Sequence, residues 1–331
     1  MSTETPTILP GSASGIARAA NALTAGDVVA FGTETVYGLG ADAGNAAAVA
    51  RVFALKGRPP QNPLICHVDG PAMAKTIARV DDRTAMVMAQ YWPGPLTLIL
   101  PYAGGAAVAD IARAGLDTVA VRAPAHPTAR ALISAFGKPM VGPSANKSGR
   151  LSPTTAMMVA EAFGAEVPLI LSSGQCEIGL ESTVLDLSKP DRATIMRPGA
   201  LGVDDLIDLL PEVMAVNVTD NTAPISPGLL LRHYAPRIPV RINVRDNELS
   251  DGEAFIGFGP NPFTPKGQGE RRNLSPVGDL DEAAHNLFAM LHELEDSGAT
   301  AIAIAPIPDM GLGLAINDRL RRAAAASKVD A

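Results

Sequence analysis

The chain has 331 residues, 47% hydrophobic and 18% charged, which is enough apolar material for a packed core and excludes global disorder. A formal net charge of −7 excludes a molecule that holds nucleic acid by overall charge, so any polyanion site must be a local basic patch. Two cysteines, Cys66 and Cys176, cannot frame a disulfide scaffold, and a reducing, cytoplasmic setting is expected. The first residues carry neither the basic nor the apolar region of a signal peptide. The most apolar stretch, around 92–112, is broken by Pro93, Gly94, Pro95, Pro101, Gly104 and Gly105, so no membrane span is expected. Aromatic residues make up 4%, too few for a base-stacking RNA module.

In chain order, short aliphatic runs bounded by Gly or Pro predict strands at 27–31, 64–68, 96–100, 118–122, 140–142, 169–171, 182–187 and 194–197. Between them, Ala-rich runs predict helices at 46–56, with Asn45 as N-cap and Gly57 as C-cap, at 127–136, and at 154–163, opened by Ser152 or Pro153. This alternation predicts an α/β fold. From 209 to 239 the texture changes to prolines with Thr, Asn and Ser, which reads as an extended linker, long enough to be functional. Beyond it, strands at 240–244, 254–258 and 301–305 and helices at 281–294 and 314–325 predict a second, smaller α/β unit.

Standard nucleotide motifs do not fit. Gly137-Lys-Pro-Met-Val-Gly142 has P-loop glycine spacing, but Pro143-Ser144 stands where Lys-Ser/Thr is required. Gly38-Leu-Gly40-Ala-Asp-Ala-Gly44 misses the dinucleotide fingerprint by one residue. Two polar clusters stand out instead. In Lys56-Gly-Arg58-Pro-Pro-Gln-Asn62-Pro-Leu64 a helix end and three prolines hold two cations and an amide on a stiff turn. In Gly142-Pro-Ser144-Ala-Asn146-Lys-Ser148-Gly149 hydroxyls, an amide and backbone N–H groups follow a strand and suit an oxyanion. Together they have the makings of a phosphate cradle; two ordinary solvated loops explain them equally well.

Phe31-Gly-Thr33-Glu34-Thr35-Val36-Tyr37-Gly38 follows the first predicted strand, at the end where open α/β sheets place ligands. Arg122 ends the apolar strand 118–122 and needs a counter-anion, either a ligand carboxylate or an internal acid. His67, at a strand end, reads as a satisfied core histidine. His285 and His292 share a helix face without completing a zinc site, and His126 reads as a helix opener.

Taken in order, these segments resemble the threonylcarbamoyl-AMP synthase family with its YrdC-like catalytic fold, in the longer two-domain form. The resemblance rests on Thr33-Glu-Thr-Val-Tyr-Gly-Leu39, Lys56-x-Arg58-Pro, Asn62-Pro-Leu64, Trp92-Pro-Gly-Pro-Leu-Thr97, Val121-Arg122 and Pro143-Ser-Ala-Asn146-x-Ser-Gly149. It continues through Glu181-Ser-Thr-Val184, Arg197-Pro-Gly199, Ser226-Pro-Gly228 and Arg232-His-Tyr-Ala-Pro236. Gly32 departs from the pattern, which commonly has Pro there.

The resemblance implies a YrdC-like domain with a twisted open mixed sheet over 1–208, a Pro-rich linker and active-site lid over 209–239, and a Rossmann-like α/β domain over 240–331. It implies synthesis of threonylcarbamoyl-AMP from L-threonine, bicarbonate and ATP with Mg²⁺ on the phosphates, releasing pyrophosphate. The product would pass to a downstream transferase complex that modifies tRNA beside the anticodon; direct tRNA binding is left open. By motif, Lys56, Arg58, Ser144 and Asn146 are the expected catalytic quartet. Asn62, Thr118, Ser152, Arg197 and Tyr234, with Arg58 and Ser144, are expected at ATP, and Thr35, His67, Arg122 and Ser182 at L-threonine, with no metal held by protein side chains.

Two other readings compete. A non-catalytic double-stranded-RNA or tRNA-binding module would line a groove with Lys56, Arg58, Arg122, Lys147, Arg150 and Arg197, against the acidic net charge. A hydrogenase-maturation carbamoyltransferase shares a YrdC-like module but carries zinc-finger segments that two cysteines cannot supply.

Overall fold

A computed structural model describes residues 5–215, 234–260, 263 and 269–327. The chain forms two compact units. The first comprises Met1–Lys147, Pro153–Cys176 and Glu181–Leu229; the second comprises Ser148–Ser152, Glu177–Leu180 and Leu230–Ala331.

Eleven strands make the sheet of the first unit: β1 (Thr7–Pro10), β2 (Val29–Phe31), β3 (Gly38–Asp42), β4 (Ile65–His67), β5 (Leu96–Pro101), β6 (Thr118–Arg122), β7 (Met140–Val141), β8 (Leu169–Ser172), β9 (Thr183–Asp186), β10 (Ala193–Arg197) and β11 (Val213–Ala215). Their order is β1-β8-β2-β3-β7-β4-β6-β5-β9-β10-β11. The sheet is mixed: β4 runs parallel to β6 and β5 to β9, whereas β5–β6, β4–β7, β3–β7 and β9–β10 are antiparallel. The largest apolar cluster packs Val49, Val52 and Phe53 of the helix Ala46–Lys56 with Leu39, Cys66, Leu98 and Val121 of the strands. Each such side chain contributes about 1.5–3 kcal/mol on burial.

The predicted helix 46–56 forms with the expected caps. The Asn45 side chain accepts from the N–H groups of Ala47 and Ala48, and Gly57 closes it in the left-handed region at φ 60°. The helix expected at 154–163 starts later, at Ala156, because Thr155 is its N-cap and accepts from Met158 N–H. Within the stretch expected as linker, Val213–Ala215 form β11, which pairs in parallel with β10. Ser226-Pro-Gly228 and Arg232-His233 lie outside the described residues.

The second unit has a four-stranded all-parallel sheet: β12 (Val240–Ile242), β13 (Glu253–Gly257), β14 (Arg271–Asn273) and β15 (Ala301–Ile304), ordered β12-β15-β13-β14. Helices Leu280–Glu295 and Leu312–Ser327 accompany it. Its short inserted segments are tied in by hydrogen bonds. Ala235 N–H donates to Gly149 O at 2.9 Å, Arg150 to Glu295 at 3.0 Å, and His285 Nδ1 lies 2.8 Å from Glu177 O.

Candidate active site

The register of β4, β6, β5, β9 and β10 creates the site. Successive strand side chains point to opposite faces, so the pairs Ile65–Ala120, Ala120–Ile99, His67–Arg122 and Thr97–Val184 set one face. Ile65, Ile99, Ala120, Val184 and Met196 form a small apolar cluster on it, separate from the main core. A shift of register between Ile195 and Arg197 lets Met196 join this cluster while Arg197 pairs with Val184. Polar groups gather at both ends of this floor, which β6 spans over about 13 Å.

At one end stands Lys56, the last residue of its helix and only 3% exposed. Its Nζ donates to Ser144 O at 2.5 Å, Asn146 O at 2.7 Å and Asn146 Oδ1 at 3.4 Å. Three acceptors around one nitrogen suit an ammonium, which has three N–H donors. Burial pushes its pKa well down from 10.5, the charge of Arg58 adds to this, Glu181 opposes it, and Lys147 lowers it further. Ser144 Oγ donates to Asn146 Oδ1 at 2.6 Å, and Asn146 Nδ2 to Lys147 O at 2.9 Å. Arg58 staples its own loop, Nε to Asn62 O at 3.0 Å and Nη2 to Pro63 O at 2.9 Å. Thus Lys56 joins Ser144 and Asn146 directly, with Arg58 close enough to bear on its charge. The backbone N–H groups of Gly142 and Ala145, expected to face an anion, donate instead to Ile65 O and Tyr37 O. Asn62 is buried, and neither of its amide atoms has a partner among the described residues. Thr118 is half-buried at the same end of β6.

At the other end Arg122 Nη2 donates to Glu34 Oε1 at 2.6 Å, Nη1 to Thr35 Oγ1 at 2.7 Å, and Nε to Gly94 O at 3.2 Å. The internal acid is the counter-anion found here; two of the guanidinium's five N–H groups are not used in these bonds. Thr35 and Thr33 hydroxyls lie 2.8 Å apart, and Thr33 donates to Val36 O at 2.8 Å. The chain therefore runs from Arg122 through Thr35 and Thr33 to a carbonyl, with Thr35 left able only to accept. For Glu34, burial favours the neutral acid, but the Arg122 charge and hydrogen bonds from Ala125 N–H and Arg122 outweigh it, and its pKa is lowered. His67 is a correction to the satisfied-core reading: its buried Nδ1 has no partner among the described residues. Burial, reinforced by Arg122 and opposed by Glu34, lowers its pKa to about 3, so the ring is neutral. Arg197 donates to Ser182 O at 3.0 Å and Ser182 Oγ at 3.2 Å, and Ser182 shares a 2.8 Å hydrogen bond with Thr97 Oγ1.

Glu34, Thr97 and Glu181 received no role from the sequence. The signal for Glu34 was Arg122 itself, which needed an acid. Ser152 and Tyr234 belong to the second unit, where both are buried and Tyr234 packs against Phe288 and Arg319. Contrary to expectation, His292 does join carboxylates, Glu295 and Asp296, but Arg150 and Arg237 already pair with these. His126 caps its helix as expected, Nδ1 accepting from Thr128 N–H. Cys66, its thiol pushed up to about 12 by burial, is no nucleophile.

Comparison with known proteins decides the family. The Sua5/YciO/YrdC family model, described as "Telomere recombination", matches residues 21–199, and that of the "Threonylcarbamoyl-AMP synthase, C-terminal domain" matches 202–325. The threonylcarbamoyl-AMP synthase of Pyrococcus abyssi is 37% identical over 321 residues, 92% of either chain. The chain belongs to the threonylcarbamoyl-AMP synthase family. The Bacillus subtilis member is likewise 37% identical, over 93% of this chain and 92% of its own. The crystal structure of P. abyssi Sua5 complexed with L-threonine superposes with a TM-score of 0.88 at 34% identity, covering 97% of this chain and 98% of that one. The expected architecture, a mixed-sheet YrdC-like domain with a smaller α/β domain, therefore holds, and the chain is an enzyme of the nucleotidyl-transferring type. Among the described residues no helix is long and apolar enough to cross a membrane.

Proposed function

We propose that this enzyme joins L-threonine, bicarbonate and ATP into threonylcarbamoyl-AMP and pyrophosphate, in the cytoplasm, and hands the product to a transferase complex acting on tRNA. The observation that carries this is the buried Lys56 ammonium gripping the Ser144–Asn146 loop beside Arg58. A cluster of buried cations with a depressed lysine pKa is a site made for a polyanion.

The amine nitrogen of threonine attacks the bicarbonate carbon, and a C–O bond breaks to release water. A carbamate oxygen then attacks the α-phosphorus, and the bond to the pyrophosphate oxygen breaks. No protein nucleophile is needed, so positioning and charge stabilisation supply the acceleration. Arg58, with the side chains of Ser144 and Asn146, faces the phosphates; Lys56 fixes that loop and supplies positive charge. Asn62, Thr118 and Arg197 contact the nucleotide. Arg122 offers its remaining N–H groups to the threonine carboxylate, Thr35 and neutral His67 line the amino-acid end, and Ser182, held by Arg197 and Thr97, closes it.

Ser144 and Asn146 provide hydroxyl and amide oxygens rather than a carboxylate set, which fits Mg²⁺ held mainly by phosphates and water. When bound, Mg²⁺ supplies neutralisation of phosphate charge. The test is pyrophosphate release that requires both threonine and bicarbonate and is lost in Ser144→Ala and Asn146→Ala. Retention of full turnover in both variants would overturn the assignment.

A further inference from the structure

The helix Leu280–Glu295 of the second unit gathers segments that lie far apart in the sequence. Two of them are the short pieces Ser148–Ser152, which begins two residues after Asn146, and Glu177–Leu180, which ends two residues before Ser182. Glu177 O lies 2.8 Å from His285 Nδ1. A Cβ on Gly179, at φ 77°, would stand 2.7 Å from the carbonyl oxygens of Ala284 and His285, so this piece lies flush on the helix backbone. The other piece meets the last residue of the helix. Glu295 Oε2 accepts from Arg150 Nη2 at 3.0 Å and from Arg237 N–H at 2.8 Å, and its side chain is 5% exposed. Gly149 O accepts from Ala235 N–H at 2.9 Å, and Arg150 and Ala235 form a parallel bridge. One carboxylate oxygen thus joins the segment that follows Asn146 to the chain that runs from Tyr234 into β12.

Each residue of chain spans at most about 3.6 Å, so where Ser148 is held limits where Asn146 can stand. Within the Ser144–Asn146 loop the bonds from Lys56 and between the two side chains fix its shape. Its exit is fixed by Gly149 and Arg150. A reaction that depends on placement is sensitive to such an anchor, since a shift of about 1 Å can cost about 100-fold in rate. The anchor is not there for overall stability. The Arg150 and Arg237 side chains are 37% and 53% exposed, so without Glu295 both cations turn to water. We propose that Glu295 is a positioning residue for the reaction: by holding Arg150 it sets the placement of Ser144 and Asn146. This rests on the reading of that loop as the phosphate site and deepens it, by giving the second unit a part in the chemistry.

The test compares full-length wild type, Glu295→Gln, Arg150→Met and the double variant in pyrophosphate release and in amide hydrogen exchange. Each single variant is expected to lose about 10-fold in kcat, with the threonine KM within about twofold of wild type. The double variant loses no more than either single one, because all three break the same link. Arg150→Lys, which keeps a donor for Glu295, is expected to retain most of the turnover. Melting temperatures shift by less than about 4 °C. Exchange at residues 147–152 and at Ala235 rises at least about 10-fold in Glu295→Gln. Wild-type kcat in both single variants overturns the proposal, as do additive losses in the double variant or a rise in threonine KM at unchanged kcat. A loss of turnover that follows a large fall in melting temperature also overturns it, by showing a residue that serves only the fold. If wild type itself releases no pyrophosphate, the ATP reading has failed; unchanged exchange in Glu295→Gln still overturns the anchor by itself.

Discussion

Glu34 and Arg122 meet inside the first unit, Oε1 to Nη2 at 2.6 Å, each side chain 4% exposed. A pair this enclosed adds little net stability, yet breaking it leaves one buried charge alone. Glu34→Gln is expected to lower unfolding stability by about 3–5 kcal/mol and to raise the KM for threonine, through the loosened Arg122. In Glu34→Leu/Arg122→Met the loss is smaller than the sum of the two single losses. Denaturant titration of the four proteins measures this; strict additivity contradicts the coupling. The folded pKa of Glu34 is depressed below 4.5, so its contribution is complete above that value and is lost as pH falls through the folded pKa.

His67 acts in the same direction, because burial keeps its ring neutral. Its folded pKa of about 3 lies below 6.5, so between those values the unfolded chain binds the proton and the folded one does not. Stability therefore falls as pH drops from 6.5 toward 3, by about 1.4 kcal/mol per pH unit from this group. The ring resonances of His67 are expected to show no titration near neutral pH. A midpoint near 6.5 in NMR contradicts the enclosed, neutral ring.

Lys56 gives a further pH effect of the same sign. Its depressed folded pKa means that the unfolded state holds more protons between that value and 10.5. Stability from this group thus rises with pH across the window, and Lys56→Gln is expected to flatten the slope. Lys56→Ala also removes the lysine donor from the carbonyls of Ser144 and Asn146. Its turnover is expected to fall at least about 100-fold. Undiminished pyrophosphate release by the folded variant contradicts the role given to this lysine.

The glycine that replaces proline in the family pattern has a local cause. A Cβ on Gly32 would stand 1.7 Å from Ser173 Oγ and 2.9 Å from the Tyr37 ring, whose hydroxyl donates to Gly174 O at 2.7 Å. Gly32→Pro is expected to destabilise the fold by about 3 kcal/mol, and Ser173→Gly to restore part of the loss. Thermal melts compare them; an unperturbed Gly32→Pro contradicts the packing.

How far the sequence reached depended on distance along the chain. The helix Ala46–Lys56 carried both caps in its own residues, so its ends were legible. The strand β3 was not, since Gly38 and Gly40 are poor strand formers; at Gly40 space is tight, a Cβ there standing 3.1 Å from the backbone oxygen of Val29. The edge strand β14 was hidden by its polar residues Arg271, Arg272 and Asn273. At the site, the motifs marked the residues but not their partners. Lys56 meets Ser144 across 88 positions, and so does Arg122 Glu34. Such pairs follow from sheet register and leave no local pattern. Orphaned polar atoms on Asn62 and His67 are likewise visible only once the surroundings are packed.

The most direct measurement uses carbon-13-labelled bicarbonate with L-threonine and ATP, followed by mass spectrometry of the products. The expected product is an adduct containing one labelled carbon, one threonine and one AMP, formed in step with pyrophosphate and lost in Asn146→Ala. Conversion of ATP to AMP and pyrophosphate without the labelled adduct, at a rate indifferent to threonine, would contradict it.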